Sequence, residues 1–240
     1  MTSQQDLAFP RPLSLVDVVI FCVLEEQLKV LLIKRKPCDK LPNQPQWGLV
    51  GGFVDIDKDE NLEATALRKL KEKTNVISPY LEQLGSWGGR NRDPRGWSVT
   101  NVYFALISPE MALPLQNGGN AEVAQWVTIE GNGVKYALAF DHHIILETAI
   151  SRLRNKVEYT SLPAYLMSNT FTMAELQKSY ETVLGRKLEK SAFRTRILST
   201  DLLEPLDDFK LGSNRPAQIY KIKNRSNAVF FQRTFKPVGN

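Results

Sequence analysis

The chain has 240 residues, room for one large or two modest domains, and its 42% apolar content is enough for real cores. Its two cysteines, Cys22 and Cys38, offer neither a disulfide framework nor a metal-ligand spacing, and no low-complexity or collagen-like repeat is present. No apolar run reaches the roughly 18 residues of a membrane span, and the opening MTSQQDLAFPRP lacks both a basic start and an apolar stretch of signal-peptide length, so a soluble cytoplasmic protein without a membrane partner is expected.

In chain order, residues 15–24 (LVDVVIFCVL) and 29–36 (KVLLIKRK) flank Glu25-Glu26-Gln27 and read as the strands of a hairpin. Cys22 lies inside the first and reads as a small core residue. Trp47-Gly48-Leu49-Val50-Gly51-Gly52-Phe53-Val54 reads as a strand running into a Gly-Gly turn. Asn61 then caps a helix whose apolar stripe is Ala64, Ala66, Leu67 and Leu70.

This order of elements, with residues 50–76 reading VGGFVDIDKDENLEATALRKLKEKTNV, resembles the Nudix box and its upstream strands. The resemblance covers roughly residues 13–150 and implies an α/β/α sandwich with a mixed sheet. A Nudix helix carries R-E-(apolar)-x-E-E, which sets three acids at i, i+3 and i+4 on one face. They hold Mg²⁺ through oxygen, and the metal activates water and neutralises a diphosphate. Here the run is Arg68-Lys69-Leu70-Lys71-Glu72-Lys73, so two acids have become lysine and Glu72 alone remains. Each ammonium repels a divalent cation by about 1 kcal/mol or more even at water-like dielectric. Asn75 also stands where the pattern has glycine, and two residues are inserted between Gly52 and the helix. The expectation is no catalytic residue, no metal ligand and no hydrolase activity.

Residues 89–97 (GRNRDPRGW) precede a strand-like SVTNVYFALI. An Asp-Pro-Arg-Gly loop in this position looks like that of Nudix proteins acting on ADP-ribose. Guanidinium forks suit phosphate oxygens, while a surface turn with solvated arginines is the competing reading. Trp87, Trp97 and Trp126 could stack on an adenine, although large aromatics more often serve cores or interfaces. His142 and His143 are neighbours on a helix, about 100° apart, and cannot chelate one ion from one face. Packing or helix-surface roles are expected for both.

Residues 140–159 (FDHHIILETAISRLRNKVEY) read as a long helix, and Ser161-Leu162-Pro163 breaks the chain after it. A domain boundary is placed near residue 155, with the helix itself as a bridge between the parts, giving units 1–155 and 156–240. The first holds 17 Lys+Arg against 18 Asp+Glu and the second 14 against 8, so all of the net charge of +5 comes from the second. Such a surplus suits a polyanion. Thr172 and Glu175 fit a capping box, Met173, Leu176, Tyr180 and Leu184 follow at helical spacing, and Gly185 ends the helix. A second helix, EKSAFRTRILSTDLL, turns Phe193, Ile197 and Leu198 inward and Ser191, Arg194 and Thr195 outward beside Lys190, a short cationic face suited to the major groove. Residues 206–211 and 217–222 flank Gly212-Ser213-Asn214-Arg215-Pro216 as a two-stranded wing, and AVFFQRTF suggests a last strand.

A degenerate Nudix domain followed by a winged helix-turn-helix, an α+β chain as a whole, resembles the NrtR family of Nudix-related transcriptional regulators, which control NAD biosynthesis and salvage genes. That resemblance implies a homodimeric repressor on double-stranded, palindromic operator DNA, released by ADP-ribose as effector, with no cofactor. Effector contacts would come from Arg35, Gly51, Gly52, Glu72, Arg90 and Arg95: the arginines on the diphosphate, the glycines allowing close approach, Glu72 on a ribose hydroxyl. DNA contacts would come from Thr172, Lys190, Ser191, Arg194, Arg196, Asn214 and Arg215. Two other readings stay open: a working ADP-ribose pyrophosphatase with an accessory nucleic-acid-binding domain, and an RNA- or partner-binding adaptor.

Overall fold

The computed structural model describes residues 10–35, 45–74, 80–112, 123–211, 216–224 and 228–231. Its elements in order are β1 (Leu13–Leu24), β2 (Gln27–Lys34), β3 (Trp47–Gly48), β4 (Val50–Phe53), α1 (Leu62–Thr74), β5 (Tyr80–Gly89), β6 (Ser98–Leu106), α2 (Pro109–Ala112), β7 (Val123–Thr128), α3 (His142–Val157), a 3₁₀ turn (Leu162–Leu166), β8 (Phe171–Thr172), α4 (Met173–Leu184), α5 (Lys190–Leu198), β9 (Leu203–Lys210) and β10 (Ala217–Ile222).

Strand β1 organises the larger sheet. It runs antiparallel to β2 and β4 and parallel to β6, while β3 and β7 join β2 and β5 joins β6, giving a seven-stranded mixed sheet. The β1–β2 turn is only two residues, Glu25 and Glu26, at φ 53° and 58°. Positive φ at both central positions matches strand twist, which is why tight hairpins use it. Asn61 caps α1 by accepting from the Ala64 amide at 2.9 Å.

Because β1 is covered on both faces, it reads as a nearly unbroken apolar run. Alternate residues still go opposite ways. Val16, Val18, Ile20 and Cys22 pack with Ala66 and Leu70 of α1. Val19 and Phe21 pack on the other side with Ile145, Leu146, Ile150 and Leu153 of α3. The result is the expected α/β/α sandwich. Cys22 is a core residue whose thiol is pushed up to about 12 by burial and so stays protonated.

The boundary placed near residue 155 falls within α3. Helix α3 continues to Val157, and its buried face belongs to one core that includes Leu176, Tyr180 and Val183 of α4, Phe193 and Ile197 of α5, and Tyr220 and Ile222 of β10. Helix α4 begins with the full capping box of Thr172 and Glu175 and ends at Gly185, which is left-handed at φ 69°. Strands β9 and β10 form the wing, and β8 adds a third strand through Ile219↔Thr172 and Tyr220↔Phe171. Helix α5 stops at Leu198, short of the sequence expectation, and Leu198 is 48% exposed rather than inward. With the helix ended there, Leu202 and Leu203 supply the buried side chains instead, and β9 starts three residues earlier than expected. The expected last strand is reduced, among the described residues, to one bridge between Thr160 and Phe230.

Candidate ligand cleft and nucleic-acid interface

A cleft of about 170 Å³ opens where β1, β4, the loop after β5 and the start of α3 meet. Gly51 stands opposite Asp17 in the β1–β4 register. A Cβ on Gly51 would lie 2.1 Å from Asp17 Oδ1 and 2.6 Å from the Val16 carbonyl oxygen, so no other residue fits. Asp17 is buried and accepts a hydrogen bond from Thr100 Oγ1 at 2.8 Å. Arg92 Nη2 and His142 Nε2 lie 3.6 and 3.7 Å from the same oxygen, Oδ2.

Arg92 donates a bidentate fork to Asp141, at 2.9 and 2.8 Å, at the N-cap of α3. His142 Nδ1 accepts from the Leu49 amide at 3.0 Å, which turns Nε2 towards Asp17. Burial pushes the His142 pKa below its ordinary value, outweighing the neighbouring Asp17 and Asp141 carboxylates. Arg95 forks onto Asp93 at 2.9 and 2.6 Å. Burial would raise the Asp93 carboxyl, but the bonds from Arg95 hold it below its usual range. The Arg95 guanidinium also sits 5.0 Å from the Phe53 ring centre and 5.9 Å from Phe140, whose ring carries Arg35 at 4.6 Å. Phe140 is left-handed at φ 56°. That backbone costs on the order of 1–3 kcal/mol and persists at sites where surrounding structure enforces it. Three guanidinium groups, two held by acids and the third over Phe140, suit a bidentate anion such as a diphosphate.

Arg35, Gly51, Gly52 and Arg95, singled out from sequence, line this cleft. Arg90 and Glu72 do not. Arg90 is exposed directly after β5. Glu72 lies on α1, where its carboxylate accepts from Arg68 at 3.0 Å and Lys69 at 3.2 Å. The sequence reading missed Asp17, Arg92, Asp141 and Phe140, and gave His142 only a packing or surface role; His142 in fact lines the cleft. Among three loop arginines no periodicity separates the two that face the cleft from Arg90. The Asp141-His142 pair at a helix start was the available signal.

A Nudix fold implies a divalent cation beside α1, and the donor set there does not fit one. Glu72 is held by two cationic side chains, and Asp59 is committed to Arg68 at 2.6 and 2.5 Å. No three acidic, histidine or cysteine side chains converge among the described residues.

On the second unit, Lys190, Ser191, Arg194 and Thr195 are exposed on α5 as expected. Glu189 caps this helix, accepting from the Ser191 and Ala192 amides and from Ser191 Oγ. Arg196 points elsewhere: it donates to the Glu158 carbonyl at 2.7 Å and lies over the Phe231 ring at 4.9 Å. Thr172 is 5% exposed, and its hydroxyl is used in the cap of α4. Asn214 and Arg215 lie outside the described residues.

An arginine-lined cleft in a Nudix sandwich, joined to a winged helix, defines a ligand-sensing DNA-binding class. Two family models match it, the NUDIX domain over residues 14–148 and the NrtR DNA-binding winged helix domain over residues 163–222. The ADPR responsive transcriptional repressor NtrR of Acinetobacter baylyi is 48% identical over 221 residues, covering 92% of this chain and 86% of that protein. Shewanella oneidensis NrtR complexed with a 27mer DNA superposes with a TM-score of 0.78 at 38% identity, over 91% of this chain and 97% of that one. The NUDIX domain of the same protein complexed with ADP ribose matches 61% of this chain and 91% of its own, with a TM-score of 0.51 and 42% identity. The chain belongs to the NrtR family of Nudix-related transcriptional regulators. No helix among the described residues is long and apolar enough to cross a membrane.

Proposed function

We propose that this protein is a repressor of NAD biosynthesis and salvage genes that holds a palindromic operator as a homodimer and releases it when ADP-ribose enters the Nudix cleft. The observation that carries this reading is the union, in one chain of this family, of a guanidinium-lined cleft with an exposed cationic helix α5. One relative, complexed with DNA and, as its NUDIX domain, with ADP ribose, supports it. Arg35, Arg92 and Arg95 would meet the diphosphate, and Lys190, Ser191 and Arg194 the operator. For release to follow, ADP-ribose must bind the DNA-free arrangement better than the bound one.

The cleft acts on this reading as a receptor and not as a hydrolase, because the acids that would grip magnesium are replaced at positions 69 and 73. A gel shift with DNA upstream of NAD salvage genes tests the whole reading. Retardation that added ADP-ribose reverses is the expected result, with the ligand recovered intact in Mg²⁺. Retardation indifferent to ADP-ribose, or release of AMP at ordinary enzyme rates, would count against it.

A further inference from the structure

Helix α1 sets a cation against strand β4, three of whose residues line the cleft. The Lys69 side chain is only 16% exposed, and its ammonium lies 3.2 Å from Glu72 Oε2. Its tail crosses the face of Gly52: a Cβ there would be 2.9 Å from Lys69 Cε and 3.3 Å from Nζ. Gly51, Gly52 and Phe53 all line the cleft. Strand β4 is four residues long and pairs, among the described residues, with β1 alone. Lys69 therefore reaches the strand at Gly52 without itself lining the cleft. Arg68, one residue before, also reaches this strand through the Phe53 carbonyl at 3.4 Å.

We propose that the Lys69 ammonium, seated against Gly52 and steadied by Glu72, binds the diphosphate of the effector directly in place of a divalent cation, so that effector binding needs no metal. A metal ion in such a cleft does two things, neutralising the phosphates and activating water. An ammonium does the first and cannot do the second, having donors but no vacant coordination position. Glu72 changes part accordingly: a carboxylate that would ligate a cation instead accepts from one. Glycine at position 52 is what leaves room for the lysine tail. The proposal rests on the ADP-ribose reading given above and adds the group that replaces the ion.

The test is calorimetric titration of the full chain with ADP-ribose, once in EDTA and once in Mg²⁺. The unaltered chain is expected to bind equally in both. Lys69→Gln should bind roughly tenfold more weakly in both, and Lys69→Arg, which keeps the charge, should stay within about twofold. Thermal melts of the three chains should coincide, separating lost contact from lost fold. Binding that EDTA abolishes, or a Lys69→Gln chain that binds as the unaltered one does, overturns the proposal while leaving ADP-ribose as effector. No binding by the unaltered chain in either buffer overturns both.

Discussion

Sterics alone fix glycine at position 51. Strand register places it against Asp17, and there is no space for even a methyl group. Gly51→Ala should therefore destabilise the protein by about 1–3 kcal/mol, as overpacking does, and weaken ADP-ribose binding by displacing Asp17. Differential scanning calorimetry with and without ligand measures both, and an unchanged melting temperature would refute the packing argument. His142 gives a pH dependence. Its folded pKa lies below the unfolded value of about 6.5. Below pH 6.5 the unfolded chain thus binds more protons than the folded one, and stability falls as pH falls. The contribution is complete above the unfolded pKa and is lost on acidification towards the folded one. His142→Gln, which keeps a polar side chain without the titration, should flatten urea midpoints between pH 7 and 5. A slope equal to that of the unaltered chain would assign the dependence to other groups. The glycines and the Asp-Pro-Arg-Gly loop were legible because turn chemistry and phosphate chemistry restrict residue type. Asp17 was not, because an acid within an apolar strand signals a site only once its partners from positions 92, 100 and 142 are known.

Elements were legible where local chemistry fixes them. The hairpin, the Asn61 cap, the Thr172–Glu175 box and the Gly185 stop were all visible in sequence and all form. Strand β5 was not recognised, because its glycines and mixed burial hide the period-two pattern. The end of α5 was overrun by several residues, since nothing in STDLL forbids a helix; the buried Leu202 and Leu203, drawn into the wing core, stop it. Thr172 shows how one residue fits two readings. Its sequence position suggests the foot of a DNA-binding helix, while its hydroxyl and amide both engage Glu175. Thr172→Ala should cost about 1 kcal/mol of stability by removing the cap. Arg194→Ala, on the exposed face of α5, should leave the melting temperature unchanged and weaken operator binding at physiological salt. A gel shift and a melt on each variant decide the matter: an Arg194→Ala chain with full operator affinity would remove α5 as the reader.

Over the whole molecule, α3 is the connection. Its first turn holds Asp141, clamped by Arg92, and His142 in the cleft. Sixteen residues on, about 24 Å away at 1.5 Å per residue, its C-cap Glu158 accepts Arg196 of α5 on its carbonyl and pairs with Arg186 on its carboxylate. Between these ends, Arg154 donates to the Val183 carbonyl at the end of α4. A diphosphate that draws Arg92 from Asp141 would act on a rod whose other end carries helix α5. Coupling between two sites is a free energy, typically worth a 5- to 150-fold change in affinity, and it is reciprocal. Arg196→Ala should reduce the ratio of operator affinities without and with ADP-ribose by roughly fivefold or more. The same variant should reduce by an equal factor the effect of operator DNA on ADP-ribose affinity. Were Arg196 instead a direct DNA contact, operator binding without ligand would weaken and the ratio would stay the same. Fluorescence anisotropy of labelled operator, titrated at zero and saturating ADP-ribose, separates the two outcomes.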